Sequence, residues 1–127
     1  CAGQRGVRRL ASALALLTDD PDILRSELER LLRERLLSAP LPPARFNQHV
    51  TGASGRLWEV DALWAQAGLV VEADGRAFHS SPAARRRDER KQADLEAAGL
   101  EVWRIRWYDV HGGWPALEAR LFTRTRR

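Results

Sequence analysis

Three carboxylates stand in two stretches of sequence that otherwise read as strands. Asp61 lies in residues 57–64, and Glu72 and Asp74 lie in residues 69–75, and both stretches are rich in apolar side chains. Side chains alternate between the two faces of a strand, so Glu72 and Asp74 share one face. A buried acid needs a positive partner, because an unpaired charge away from water is costly. The spacing therefore indicates a cluster of acids that something must neutralise.

The turn between the two stretches leaves two registers open. A tight hairpin centred on Gln66-Ala67 sets Asp61 opposite Glu72, whereas a centre at Ala67-Gly68 sets Asp61 opposite Asp74. Either register brings like charges directly across the ladder, which is destabilising. A divalent cation such as Mg²⁺ or Mn²⁺ would offset the repulsion, because hard cations take oxygen ligands.

A metal held in this way suits the hydrolysis of phosphodiester bonds. The cation neutralises the phosphate, activates a water and stabilises the leaving oxygen. The alternative is a polar side of the sheet that merely faces solvent. A cleft edge is favoured because one face of the first stretch is predicted to be apolar, with Trp58, Val60, Ala62 and Trp64, while its other face is mixed.

Three further side chains could complete the site. Glu29, or its neighbour Glu27, stands at the start of a predicted helix, where a capping box beginning at Ser26 explains it equally well. His79 follows the acidic stretch and could act as a general acid or base, although a lone histidine in a loop can also be simply exposed. Asp88 could orient His79, or it could form local ion pairs with the arginines beside it.

Basic charge is concentrated next to these residues. The 127-residue chain carries 21 Lys and Arg against 17 Asp and Glu, a net charge of +4, and residues 85–91 contain five of the basic side chains. A basic balance favours polyanionic partners, and guanidinium groups bind phosphates well. We expect DNA as the partner, with its phosphates held by Arg85, Arg86, Arg90 and Lys91.

Composition excludes several other classes of protein. The single cysteine, Cys1, rules out an internal disulfide framework and a Cys-rich zinc site, and a cytoplasmic location fits. No apolar run approaches the roughly 18 residues of a transmembrane helix, so no membrane partner is expected. Because the sequence starts at Cys1, we expect a fragment of a longer protein, with a helix or linker over residues 1–20 and one nuclease domain over residues 21–127.

The elements that must position these side chains alternate between helix and strand. Strands separated by tight turns, then a helix and a further strand, imply an α/β fold with a mixed four-stranded sheet flanked by helices. Most of the five tryptophans are expected in the core, with Trp107 and Trp114 as candidates for stacking on bases. Helices are predicted over 7–17, 26–37, 83–98 and 115–122, strands over 46–51, 57–64, 69–75 and 101–106, and irregular structure over 109–114.

The ordered set of segments resembles the very-short-patch-repair (Vsr)-like nucleases, a branch of the PD-(D/E)xK restriction-endonuclease-like superfamily. The resemblance covers roughly residues 26–110, and its strongest part is the Glu-x-Asp-Gly-x-x-x-His run of residues 72–79. The other pieces are Ser26-Glu27-Leu28-Glu29, Leu41-Pro42, Val60-Asp61-Ala62-Leu63-Trp64, residues 88–90, residues 95–99 and Val102-Trp103-Arg104-Ile105.

The resemblance implies a restriction-endonuclease-like three-layer core in αβββαβ order and a metal-dependent DNA endonuclease activity. It implies that Asp61 and Glu72 bind Mg²⁺ or Mn²⁺ together with the Ala73 carbonyl. It also implies site roles for Glu29, which fits the family pattern better than Glu27, and for His79 and Asp88. Many domains of this branch lie at the C-terminus of bacterial proteins, so an N-terminal DNA-binding or antitoxin-like domain is expected in the full-length chain.

Two departures from the family pattern change the expected chemistry. Asp74, which is usual for the Vsr-like branch and is expected to support the metal pair, stands where the superfamily has its lysine. The positive charge must therefore come from His79, Arg90 or Lys91, or be absent. Glu89 stands where the branch usually has a basic residue. The rival hypothesis is therefore a nuclease-fold module, in a defence or toxin–antitoxin type of protein, that binds nucleic acid but has weak or no catalytic activity.

Overall fold

The computed structural model describes residues 20–74 and 81–126. The predicted helix over 7–17, the proposed linker over 1–20 except its last residue, and His79 lie outside the described residues. The described elements, in chain order, are α1 (Pro21–Ser38), β1 (Arg45–Thr51), β2 (Leu57–Trp64), a 3₁₀ turn (Ala65–Ala67), β3 (Leu69–Ala73), α2 (Pro82–Ala97), β4 (Glu101–Ile105), α3 (Trp107–Val110) and α4 (Trp114–Thr125).

The four strands form one mixed sheet, as predicted. Their order in space is β1-β2-β3-β4. β1 pairs with β2 and β2 pairs with β3 in antiparallel fashion, whereas β3 pairs with β4 in parallel fashion. A parallel pair requires a crossover connection, and helix α2 lies within it.

Helices cover both faces of the sheet. β3 is buried along its whole length, and its side chains alternate between two apolar clusters. Val71 packs in the first cluster with side chains of α1 and α4, including Leu32 and Leu121. Val70 packs in the second cluster with Leu95 of α2. The chain is therefore an α/β protein whose sheet lies between helical layers, an arrangement compatible with a three-layer core.

Strand β2 changes face at its acidic residue, which corrects the predicted single apolar face. Trp58 and Val60 pack in the second cluster, on the α2 side of the sheet, whereas Ala62 packs in the first cluster, on the α1 side. The β1–β2 ladder is interrupted at the same point, because Asn47, across from Asp61, has a φ of 51°. Asparagine tolerates this left-handed conformation better than most residues. The irregularity places Asp61 at the point where the alternate side chains of β2 change from one face of the sheet to the other.

Helix α1 begins at Pro21 and not at Ser26, so the predicted capping box is wrong. Asp20 is the N-cap, and its Oδ1 accepts the Asp22 N–H at 2.9 Å. Proline is well suited to the first helical position because it has no N–H to satisfy there. Ser26 consequently lies in the body of the helix, and Glu29 cannot owe its place to capping.

The C-terminal half of the chain differs from prediction in its last turns. Helix α2 ends before Gly99, which has a φ of 93°, as the sequence predicts. The stretch predicted as irregular, 109–114, overlaps the end of the short helix α3 and the first residue of α4. Trp114 is only 7% exposed and lies inside the first cluster, so its predicted role in base stacking is wrong. Trp107 packs against the same cluster.

Among the described residues, no helix is long and apolar enough to cross a membrane.

Candidate active site

The strand register selects one of the two predicted acid pairings. Ala62 pairs with Val71, and the same register continued by one residue sets Asp61 opposite Glu72. The connection is not a tight two-residue turn, because it contains a 3₁₀ turn followed by Gly68 at a φ of 64°. A glycine adopts this left-handed conformation at little cost.

The Asp61 carboxylate spans from β2 to the end of β3. Its Oδ2 accepts the Ala73 N–H at 2.8 Å, and the side chain is part-buried. Burial raises the pKa of Asp61 above its usual value, while the Ala73 hydrogen bond and the positive charges of Lys91 and Arg25 oppose that rise. The carboxyl group is thus held in a fixed position, and its ionised form is less well solvated there than it would be in water.

Glu72 is paired with a lysine from the facing helix. Its side chain is 7% exposed, and its Oε1 lies 2.5 Å from the Lys91 Nζ. Lys91 also donates to the backbone carbonyl of Glu59. Burial raises the pKa of Glu72, Lys91 counteracts the rise, and the negative charge of Asp61 adds to it. Lys91, predicted as a surface contact for DNA phosphate, therefore lies beside the acids instead.

Asp74 does not join this pair. It follows β3 directly, and its N–H donates to the Ile105 carbonyl at 2.8 Å. It is 1% exposed, and its Oδ2 lies 3.4 Å from the Arg106 Nε. The carboxylate therefore forms an ion pair with Arg106 at the carboxyl ends of β3 and β4. Among the three acids, only Asp61 is part of the cleft lining formed by the described residues.

A cleft of about 780 Å³ opens over Asp61, within the size range of ligand sites. Three parts of the fold form its walls: the N-terminal half of α1, the β1–β2 hairpin, and the exposed N-terminal part of α2. The described residues that line it are Pro21, Asp22, Arg25, Glu29, Asn47, Arg56, Leu57, Trp58, Glu59, Asp61, Ser81, Ala83, Ala84, Arg87, Asp88 and Lys91.

The structure brings the predicted site residues Glu29 and Asp88 to this cleft. The Glu29 Oε1 accepts the Arg25 Nε–H at 3.2 Å, and burial followed by the charge of Asp61 raises the pKa of Glu29. Glu27 instead pairs with Arg30, which favours Glu29 as the site residue. The backbone carbonyl of Asp88 accepts a hydrogen bond from Arg104 at 2.9 Å. Whether Asp88 orients His79 stays a prediction, because His79 lies outside the described residues.

The basic residues of the cleft are mostly not the predicted ones. Arg85, Arg86 and Arg90 are exposed and lie outside the lining formed by the described residues. Arg87 and Lys91, four residues apart on α2, share the helix face that lines the cleft. This spacing of four residues is visible in the sequence and could have predicted that the two side chains lie on one face of the helix.

Further lining residues were not predicted. Arg25, Asn47 and Arg56 come from α1, β1 and the turn before β2, and only the folded arrangement assigns them to one site. Glu59, in contrast, lies two residues before Asp61 on the strand face predicted to be mixed. It adds negative charge near Asp61, because it helps to raise the pKa of that acid.

The donor set fits a hard divalent cation. Among residues 20–74 and 81–126, no group of three or more His, Cys, Asp or Glu side chains could hold a metal. Mg²⁺, however, is commonly bound through one or two carboxylates together with waters and substrate phosphates. Asp61 and Glu72 supply two carboxylates that repel each other, and the Ala73 carbonyl is a further oxygen at the same strand end.

The fold and the site define the class only coarsely: an α/β domain with a mixed sheet and a cleft that contains acidic side chains. No protein family matches the chain, and no solved structure matches it. Two proteins of Mycobacterium tuberculosis are similar to it, uncharacterized protein MT2308 of strain CDC 1551 / Oshkosh and uncharacterized protein Rv2248 of strain ATCC 25618 / H37Rv. Each is 29% identical over 120 residues, which is 94% of this chain but 44% of the relative, so the chain spans less than half the length of these curated relatives.

Proposed function

We propose that this chain is a metal-dependent DNA endonuclease domain with a Vsr-like, restriction-endonuclease-like core. The observation that carries the proposal is the convergence of Asp61 and Glu72 from paired strands beneath a cleft, with Lys91 of the facing helix on Glu72. The mixed sheet between helical layers supports the restriction-endonuclease-like assignment. The position of the two acids on neighbouring antiparallel strands supports it further.

Asp61, Glu72 and the Ala73 carbonyl would hold Mg²⁺ or Mn²⁺. When bound, the cation supplies charge neutralisation at the phosphate and a more acidic water. The chain's own contribution is to fix Asp61 through the Ala73 N–H and to keep both acids poorly solvated, so that they favour a positive partner. Glu29 lines the same cleft and would orient water there.

Lys91 supplies the positive charge that Asp74 cannot. Its ammonium contacts Glu72 and lines the cleft, whereas Arg90 is exposed and lies outside the described lining. A lysine has a compact charge and three donors, which suits it to a phosphate oxygen or an attacking water. In this proposal Lys91 approaches the reacting phosphate, and His79, oriented by Asp88, carries the acid–base step.

The test is nicking of supercoiled plasmid in Mg²⁺ or Mn²⁺. We expect Asp61→Asn to slow nicking by about 10³-fold or more, since metal-assisted stabilisation is worth several kcal/mol. Glu96→Gln is the matched control, because it also removes one carboxylate charge but lies on α2 away from the cleft lining. Nicking that continues unchanged in Asp61→Asn would contradict the proposal.

A specific observation favours the rival, a binding module without catalysis. The Lys91 ammonium already neutralises Glu72, so the pair can be satisfied without a metal. This rival predicts salt-sensitive DNA binding, with log affinity falling linearly against log salt, and no nicking in either metal. Binding and nicking measured on the same preparation separate the two functions.

A further inference from the structure

We propose that Arg25, Arg56 and Arg87, here named the cleft arginines, form the phosphate-binding site for a DNA backbone that passes over Asp61. The inference deepens the proposed function and rests on it. It moves the phosphate contacts from Arg85, Arg86 and Arg90 to three arginines that come from separate parts of the chain.

The cleft arginines reach one cleft from three elements. Arg25 lies near the start of α1, Arg56 lies in the turn directly before β2, and Arg87 lies near the start of α2. All three line the cavity that contains Asp61. The Arg25 Nε–H also donates to Glu29, another residue of the cleft lining, at 3.2 Å.

Arg56 is held ready by a fixed platform. Its guanidinium carbon lies 3.9 Å from the centre of the Trp58 ring. The Trp58 Nε1–H donates to Asp94 of α2 at 2.8 Å, and Asp94 also accepts the Ser54 N–H at 2.9 Å. Stacking uses the flat face of a guanidinium and leaves its N–H edge able to donate. A pre-positioned arginine loses little side-chain freedom when it binds an anion.

Phosphate is the ligand that this arrangement fits best. The planar fork of a guanidinium matches two oxygens of a phosphate in a bidentate manner. Three such groups that line one cleft suit successive phosphates of a strand that passes through it. The exposed arginines Arg85, Arg86 and Arg90 lack this common focus, because they lie outside the described lining of the cleft.

The experiment measures binding in a protein that carries Asp61→Asn, with EDTA present, so that cleavage plays no part. A fluorescent 20-base-pair duplex is titrated by anisotropy at several KCl concentrations. Adding Arg25→Ala, Arg56→Ala and Arg87→Ala together should weaken binding at least about 30-fold, since each loses a charge-assisted hydrogen bond. The slope of log affinity against log salt should fall by about 2 to 3, at roughly 0.9 for each lost phosphate contact.

The matched control removes the same charge elsewhere. Arg45, Arg120 and Arg126 are exposed and lie outside the described lining. Arg120 stacks on Trp103 at 4.6 Å and Arg126 on Phe122 at 4.7 Å, so the control also removes stacked guanidinium groups. The Arg45→Ala, Arg120→Ala, Arg126→Ala triple variant should keep the slope within about 1 of the parent.

Further variants show which arginines bind the DNA phosphates and whether a loss of binding reflects misfolding. Equal losses in the cleft and control sets, or a larger loss in an Arg85→Ala, Arg86→Ala, Arg90→Ala variant, would overturn the inference. Arg56→Lys keeps the charge but not the stacked fork, and it should retain the slope while weakening binding several-fold. Failed nicking with these binding results intact would sink the nuclease proposal alone, and intact nicking with an unchanged slope would sink only the cleft arginines.

Discussion

Asp61, which lines the cleft, and Glu72, which lies opposite it on β3, both reduce the stability of the fold that holds them. Burial raises the pKa of Asp61 and of Glu72, which means that ionisation costs more in the folded than in the unfolded chain. Such a group contributes stability fully below its unfolded pKa and loses it as the pH rises through the folded pKa. At neutral pH both acids therefore oppose folding, although Lys91 reduces the cost at Glu72.

Asp61→Asn should consequently be more stable than the native chain at pH 7.5 while it loses nicking activity. The amide oxygen can still accept the Ala73 N–H, so the replacement removes the poorly solvated charge and keeps the hydrogen bond. We expect a melting temperature a few degrees higher at pH 7.5 and a gain that disappears below about pH 4. Differential scanning fluorimetry at both pH values checks this. A lower melting temperature at pH 7.5 would argue that Asp61 is stabilised by partners stronger than those described.

Lys91 is expected to matter for stability as well as for activity. Lys91→Met leaves Glu72 as a buried charge without its partner, which should cost about 3 kcal/mol or more. The double variant Glu72→Gln, Lys91→Met removes both charges and should regain most of that loss. Urea unfolding of the native chain, both single variants and the double variant measures the coupling. Equal stability of Lys91→Met and the native chain would show that the pair is not formed.

At the level of secondary-structure elements, one carboxylate ties α2 to the β1–β2 turn. Asp94 accepts hydrogen bonds from the Trp58 indole, the Ser54 hydroxyl and the Ser54 N–H, and in that order these lower its pKa. A lowered pKa contributes stability above the unfolded pKa that is lost as the pH falls through the folded one. The same tie fixes the platform beneath Arg56.

Gly52 should be unable to accept a side chain because of this tie. A Cβ at Gly52 would overlap the Asp94 carboxylate and displace it from its donors. We expect Gly52→Ala and Asp94→Ala each to lower the melting temperature by several degrees. The double variant should melt at no lower a temperature than the less stable of the two single variants. Thermal melts of the three variants test this at pH 7.5. Additive losses would indicate that Gly52 acts through something other than Asp94.

At the level of the whole molecule, the positive net charge is not reflected in the cleft. Its described lining has four cationic side chains, Arg25, Arg56, Arg87 and Lys91, against five acidic ones, Asp22, Glu29, Glu59, Asp61 and Asp88, which gives a local charge of 4 − 5 = −1. The chain as a whole carries +4. The general charge attracts a polyanion, but close approach to the acids requires that their charge be reduced.

DNA affinity should therefore rise when a divalent cation is present. At matched ionic strength, we expect Ca²⁺ to tighten binding of the duplex by about tenfold, a usual size for coupling between two ligands. The increase should be lost in an Asp61→Asn, Glu72→Gln variant. Anisotropy titrations check this, with a gel to verify that the duplex is intact. An equal effect of Ca²⁺ on both proteins would place the cation elsewhere.

Local patterns in the sequence predicted most of the elements. Alternation of apolar residues located β1, β2 and β4 within about a residue, and Gly99 marked the end of α2. Each of these signals depends on neighbouring residues alone, so it can be read without the fold. The helix start was mistaken because two capping patterns compete near Pro21, and only the extent of the folded helix decides between them.

The sequence by itself determined the mixed sheet and the two acids that could face each other across it. Only the tertiary structure decided that Asp61 stands opposite Glu72, because the 3₁₀ turn and Gly68 set the register. It also decided that Lys91, Arg25 and Arg56 belong to the same cleft. The physical reason is that charges interact through space. Side chains separated by tens of residues leave no local pattern, and they meet only because the crossover through α2 lays one helix against the acidic edge of the sheet.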